Sequence, residues 1–475
     1  MRRFISKGFL AFPVLVGIGS LLFHTQDVSS QSISQPVTAP SFGGARDPGV
    51  RGGPAGAGGP LAGIQANPLA LAYFKVGQEE FDEPDGEEVD EGLGPRMNLD
   101  RCGGCHLQPA IGGSSPAVNP QVAFATKNGG RDTVPSFIKA DGPVREARLV
   151  RNADGTPDGG VAALFTITGR TGTNELCQLK QPDFPTHLRN GNVIFRIPTP
   201  VFGAGLIEQI EDSTILANLA ANPTQKSQLG IRGRANIAVS GRTISGVANR
   251  NGNDGTITRF GWKAQNVSLL IFSGEAYNVE MGITSELFQN EREQNPNCYY
   301  ASVPNDVQNL EAADALAGTT AIQNFSNFQR FLAPPTPSPN TPGGSASIGR
   351  GRAQFTSTGC AYCHTPALRT SETSTVLALR NVTANLFSDL LIHDMGVGLA
   401  DGVTQGQAGP RDFRTAPLWG LGQRIFFLHD GRTKNLIEAI QFHQSSGSEA
   451  NGVINRFNSL GDTAKQDLLN FLRSL

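Results

Sequence analysis

Four of the six cysteines fall into two short runs, RCGGCHLQP at Arg101–Pro109 and GCAYCHTP at Gly359–Pro366, about 250 residues apart. In Cys-x-x-Cys-His the two thiols can form thioethers with the vinyl groups of a porphyrin, while the adjacent histidine reaches the iron from one face. A structural zinc site needs four protein ligands, and neither run has a second cysteine pair nearby to complete one. A redox dithiol of the thioredoxin kind needs a βαβ context that the flanks do not show. The residues therefore predict two covalently bound haem c groups, attached through Cys102 and Cys105 and through Cys360 and Cys363. His106 and His364 are the expected proximal iron ligands.

The remaining axial positions decide the chemistry, because a six-coordinate haem transfers electrons whereas an open or labile one can bind peroxide. The chain has seven histidines, and His24 lies in an N-terminal apolar run. Beyond the proximal pair this leaves His187, His393, His429 and His443. In FFLHDGRTKNLIEAIQFHQ (Phe426–Gln444) the HDG turn precedes a helix that Thr433 can cap. Leu436, Ile440 and His443 then share one face, with His443 able to reach the second iron. Met395 in LLIHDMGVGLAD is the competing ligand and would raise the potential. His393 and His429 each precede Asp in turn-like settings and read as hydrogen-bonded loop residues. His187 stands alone between the two motifs and is the histidine able to cap the first haem.

Elements must hold these groups in place, and the composition says which kind. With 475 residues the chain can form two or three domains. Its 57 glycines, 30 prolines and 38% apolar content predict a loop-rich protein whose core a macrocycle would help to fill. The balance of 39 basic against 41 acidic residues excludes a nucleic-acid footprint. MRRFISK followed by the apolar Gly8–Phe23 and small residues at Val28 and Ser30 reads as a signal peptide over 1–30, with a retained membrane anchor as the alternative. Residues 31–66 read as a flexible Gly/Pro-rich arm. An exported, periplasmic location would let Cys177 and Cys298 form a disulfide; two separate buried thiols are the other reading. The acidic Phe74–Asn98 stretch reads as solvated surface or as a docking face for a basic electron donor.

Between Val118 and Thr258 no chemistry-bearing motif is visible, and VAALFTIT (Val161–Thr168) and NVIFRIP (Asn192–Pro198) read as short strands. Ser240–Gln265 reads as a hairpin feeding a helix from near Gln265. LAPPTPSPNTPGGSAS (332–347) reads as a Pro-rich linker. The expected fold is mainly α: an N-terminal haem domain over 67–331 with an inserted strand-containing region, then a C-terminal haem domain over 348–475, both with long loops.

Taken together, GLGPRMNLDRCGGCHLQPAIGGSSP, TPVFGAGLIE, RFGWKAQ, YNVEMGITSELF, FTSTGCAYCHTP, LLIHDMGVGLADG and RTAPLWGLGQRIFFLHDGRTKNLIEAIQFH carry a resemblance. The chain resembles the bacterial di-haem cytochrome c peroxidase superfamily, most of all its branch of di-haem oxidoreductases. The resemblance spans about Leu71 to Leu475. It implies that His443 is the distal ligand of the second haem, with Met395 packed beside it. It implies that Glu280, in YNVEM, is the acid/base over a peroxide-binding first haem, and that Trp262, in RFGWK, relays electrons between the haems. Relatives also carry a Ca2+ ion between the domains, whose ligands these residues do not identify. Two departures stand out. Leu270 occupies the place where the peroxidases have a Gln about ten residues before the Glu, and the stretch from the first motif to Glu280 is longer than in simple peroxidases.

These features predict an enzyme that reduces H2O2 at the first haem. Electrons would come through the second haem from a small redox donor such as a monohaem cytochrome or cupredoxin. One alternative is an electron-transfer cytochrome with both haems six-coordinate, His187 capping the first. Another is a high-valent di-haem enzyme that oxidises a protein or thiol substrate. Membrane contact is expected only through an uncleaved signal.

Overall fold

Helix α1 (Pro68–Asp82) starts where the sequence supplies a cap: the Asn67 side chain accepts from Ala70 N, and Pro68 needs no hydrogen bond at the first helical position. In chain order there follow β1 (Glu146–Arg151), β2 (Pro157–Ala162), α2 (Phe184–Arg189), β3 (Val193–Arg196) and α3 (Leu269–Met281). Then come α4 (Ala321–Phe331), α5 (Gly344–Thr358), β4 (Ile392–Asp394), β5 (Asp412–Arg414), α6 (Leu436–Gln441) and α7 (Asp462–Ser474), with shorter helices and strands between them. The computed structural model describes residues 44–87, 92–127, 130, 133–167, 175–237, 243–244, 247–248, 257–292, 295–299 and 303–475. The signal expected over 1–30, the start of the arm and most of the hairpin expected within Ser240–Gln265 lie outside them. Helix occupies 34% and strand 13%, a mainly α fold, and residues from Gly43 onward form one compact unit. Among the described residues no helix is long and apolar enough to cross a membrane.

Each half is built on one tight helix pair. In α1 the buried face is Phe74, Gly77 and Phe81, and it lies along α4. A Cβ on Gly77 would come within 2.3 Å of Asn324 O, so glycine lets the two backbones meet. Phe81 then reaches Phe328 (4.9 Å between centroids) and presents its ring to His106 (5.9 Å). The C-terminal half repeats the device. In α5, Gly351 faces α7, where a Cβ would sit 1.9 Å from Asp467 O. Four residues on, Phe355 packs on Phe471 (5.4 Å) and touches His364 (6.4 Å). The shared pattern is Gly-x-x-x-Phe on the helix before each Cys-x-x-Cys-His, a repeat too sparse to notice in the sequence.

The inserted strands form a three-stranded antiparallel sheet in the order β2-β1-β3, with Glu146 opposite Arg196 and Arg148 opposite both Ile194 and Val161. Cys177 and Cys298 are joined by a disulfide that ties this region to the loop after α3. The halves meet through buried charge: Arg196 on β3 pairs with Asp401 (2.5 Å), and Lys263 pairs with the same carboxylate (3.0 Å).

Three expectations need correction. The arm is not a loose tether over its described part: Arg473 pairs with Asp47 (2.7 Å), and Arg51 N donates to Gly422 O. The Pro-rich stretch 332–347 is bonded along its length, Ala333 N to Gly59 O, Thr336 N to Gly56 O and Ser338 N to Ser474 O, and its last residues open α5. Proline here fixes an extended segment that pairs with the arm. Helix α3 begins at Leu269, where the Ser268 hydroxyl accepts from Ile271 N, rather than near Gln265.

Gly351→Ala pushes a methyl into the Asp467 carbonyl and should cost about 1–3 kcal/mol in denaturant unfolding of the holoprotein. Gly349→Ala, on the open side of the same helix, should instead stabilise by about 0.5–1 kcal/mol.

Candidate functional site

The first motif forms one turn of helix, Cys102–Cys105, beneath a cleft of about 1190 Å3. Both cysteines and His106 line it. The imidazole is set by its Nδ1, 3.1 Å from Gly113 O, and burial pushes its pKa down to about 4, so the ring is neutral at ordinary pH. A neutral ring with Nδ1–H on a carbonyl offers Nε2 to a metal.

Helix α3 supplies the opposite wall. Its Phe272, Ser273, Glu275, Ala276, Val279 and Glu280 recur at helical spacing, so one face looks into the cleft. Glu280 is raised to about 8, first by burial and then by the charges of Glu146 and Glu275. Glu146 is itself raised by burial, although Arg148, Arg196 and Arg292 oppose the shift. Leu270 is not among the lining residues, and glutamines enter instead from elsewhere: Gln121, Gln265, Gln329 and Gln405.

Sequence reasoning missed Glu146, Arg148 and Arg196, which come from the sheet in the stretch that shows no motif. Strand alternation puts Glu146 and Arg148 on one face of β1, and the cross-strand pairing brings Arg196 beside Glu146. The charged alternation in EARLVR was the available signal. Glu275 was equally legible, one helical turn before Glu280.

The second motif lines a larger and more apolar cavity of about 1370 Å3. Here His364 Nδ1 lies 3.0 Å from Phe387 O, and burial together with nearby His443 lowers its pKa to about 4. His443 follows α6 and holds its Nδ1 2.8 Å from Ala439 O. The helix cap is Asn435, accepting from Ile437 N and Glu438 N, with Thr433 bonded to Glu438 beside it. Met395 faces the same cavity and pairs by backbone bridge with Ser448, whose hydroxyl donates to His443 O. Both distal candidates are thus brought to one place.

Trp262 lines both cavities. Its Nε1 donates to Ile197 O (3.0 Å) and its ring meets the edge of His429, which stacks on Phe413 at 4.4 Å. His429 is therefore held between rings rather than by hydrogen bonds of its side chain. His393 is bonded to Asp389 and Glu449, each at 2.9 Å. His187 is not brought to the first cleft. It lies in the last turn of α2, its Nδ1 3.2 Å from the side-chain amide of Asn192.

The donor set fits haem. Four thiols stand unpaired in two Cys-x-x-Cys runs while the remaining two cysteines are bridged, and each run carries a histidine with Nδ1 anchored.

Residues 165–475 match the family described as "Di-haem oxidoreductase, putative peroxidase". The chain belongs to this family. The match includes Trp262, Glu280 and the second motif, whereas the first motif lies before it. No curated protein matches the chain. Among solved structures it is similar to hydrazine synthase of Kuenenia stuttgartiensis (17% identity, 38% of this chain and 59% of that one, TM-score 0.23). It is also similar to the di-haem peroxidase BthA of Burkholderia thailandensis (15%, 46% and 65%, TM-score 0.28). A third likeness is to a MauG-like protein associated with microbial copper homeostasis (17%, 58% and 89%, TM-score 0.27). The chain spans less than two thirds of the first two, and similarity this low assigns no residue.

His443→Ala should abolish the low-spin signal of one haem in electron paramagnetic resonance, while Met395→Leu should leave it in place. The opposite pattern would make Met395 the ligand.

Proposed function

We propose that the protein is an exported di-haem c-type cytochrome that reduces H2O2 at the first motif, with electrons relayed from the second. In balance, H2O2 takes two electrons and two protons to give two waters. A small redox protein, such as a monohaem cytochrome or cupredoxin, would supply the electrons. The observation that carries this reading is the wall shared by the two cavities. A proton-exchanging carboxylate, Glu280, stands in the cleft of His106, and a single indole, Trp262, borders both cavities.

In this reading Cys102, Cys105 and His106 hold one haem, and Cys360, Cys363, His364 and His443 hold the other. Iron would supply the redox chemistry when the groups are bound. The chain's own part is proton handling and positioning. Peroxide cleavage needs a proton taken from one oxygen and returned to the other. Glu280, at about 8, sits close enough to working pH to do both. Burial first, then Glu146 and Glu275, keeps that pKa high, while Arg148, Arg196 and Arg292 act against the upward shift of Glu146. The apolar wall of the second cavity suits a group that exchanges electrons without admitting substrate.

The disulfide supports export, since such bonds persist in oxidising compartments. The position of His187 away from the cleft tells against a first haem capped by it. Oxidation of a protein or thiol substrate gains no support from any described residue.

Glu280→Gln should slow peroxide turnover by about 10²–10⁴-fold with both haems retained. A group whose pKa is raised holds its proton up to that pKa. The step needing the free carboxylate should therefore speed up as pH rises through about 8, and this inflection should vanish in the variant. Glu146→Gln removes a like charge and should move the inflection to lower pH. Stopped-flow mixing with H2O2 across pH reads all three. Unchanged turnover in Glu280→Gln would remove that residue from the mechanism.

A further inference from the structure

Between the two large cavities lies a third, of about 540 Å3, bordered by Trp262, Trp419, Phe260 and Phe272. Two arginines, Arg414 and Arg424, line it and also line the second cavity. Arg414, at the end of β5, is 7% exposed. Its Nε donates to Gly261 O (2.9 Å), while its Nη1 is buried with no hydrogen-bond partner among the described residues. Arg424 is half-buried, and its guanidinium makes no ion pair or side-chain hydrogen bond there. Its carbonyl accepts from Arg473 Nη1 (3.0 Å), which fixes the backbone from which it projects.

Two cations placed together in an apolar wall are costly unless an anion joins them. Among the described residues no side chain does so. Asp389, whose charge reaches Arg414, already accepts from His393 and from Leu391 N. Burial and mutual repulsion bring Arg414 down to about 10, so it stays charged at neutral pH; burial alone does the same for Arg424. The other buried arginines, Arg196, Arg259 and Arg473, each have a carboxylate partner. The described residues thus leave room for an anion brought by a bound group.

A haem c supplies one, because its macrocycle is apolar except for two propionate carboxylates on one edge. Guanidinium groups bind carboxylates through paired N–H donors. We propose that Arg414 and Arg424 form a cradle for the propionates of the haem attached at Cys360 and Cys363. This rests on the reading that a haem is attached there. The cradle adjoins the relay residue directly, since Arg414 N donates to Trp262 O (2.9 Å). It would place the charged edge of the second haem beside Trp262.

The test uses the holoprotein, with haem counted per chain and with Arg424→Gln and Arg414→Lys compared with the unaltered chain. Arg424→Gln breaks no bond within the protein and should fold. Its second haem should show a shifted propionate bending band in resonance Raman and a lower midpoint potential, because a nearby cation favours the reduced iron. The bands of the first haem should stay put. Arg414→Lys keeps the charge but not the fork, so it should shift the Raman band with a smaller change in potential. Two haems per chain with unmoved bands and potentials in both variants would overturn the cradle and leave the di-haem reading intact. Fewer than two haems in the unaltered chain would overturn that reading and the cradle with it. A potential that instead follows added phosphate or chloride, and ceases to do so in the variants, would assign the arginines to a free anion and also overturn the cradle.

Discussion

An imidazole can serve an iron only if one nitrogen is aimed and the other is occupied, and much of this structure supports that constraint at two places. His106 and His364 each give Nδ1 to a backbone carbonyl, of Gly113 and of Phe387, and each meets the ring of a buried phenylalanine. Such a hydrogen bond adds about 1 kcal/mol to stability, yet it selects the tautomer. The phenylalanine in turn depends on a glycine one turn earlier, where two helix backbones touch. Close packing therefore begins at Gly77 and Gly351 and ends at the imidazoles of His106 and His364.

From this common base the two sites diverge through what covers them. Over His106 the wall is charged: three carboxylates and several arginines from α3 and the inserted sheet hold one another's protonation in check. Over His364 the wall is apolar, with histidine and methionine reaching in. A polar cleft exchanges protons with a substrate, and an apolar one protects an electron carrier from water. Trp262 belongs to both and is fixed at its Nε1, which suits a residue whose use depends on distance.

What could be read from the sequence follows the range of the interaction. The two motifs, the helix leading to His443, and the strands at Val161 and Val193 rest on local spacing, and the described structure contains each element. Glu280 and Trp262 were reached only through resemblance, since a lone Glu or Trp has no spacing signal. The cluster of Glu146, Arg148 and Arg196 was not reached, because cross-strand register joins residues about fifty positions apart. Counting histidines points to His187 as a possible cap of the first haem, whereas the structure places its ring beside Asn192 and outside the lining of that cleft. The arm and the Pro-rich stretch looked loose because glycine and proline signal irregular backbone, not its partners. The cap is Asn435 rather than Thr433, in keeping with the stronger capping of Asn.

Asp47 is far in sequence from the second site, yet its carboxylate accepts from Leu436 N (2.7 Å), the first residue of the helix that leads to His443. The same carboxylate holds Arg473, 426 positions away, and Arg473 holds the carbonyl of Arg424. The helix that leads to His443 is thus tied to a residue 389 positions before it. Closing so long a loop has an entropic cost that no local contact defrays. The distal side of the second cavity therefore depends on a contact far away in sequence, so loss of the Asp47 carboxylate should loosen it.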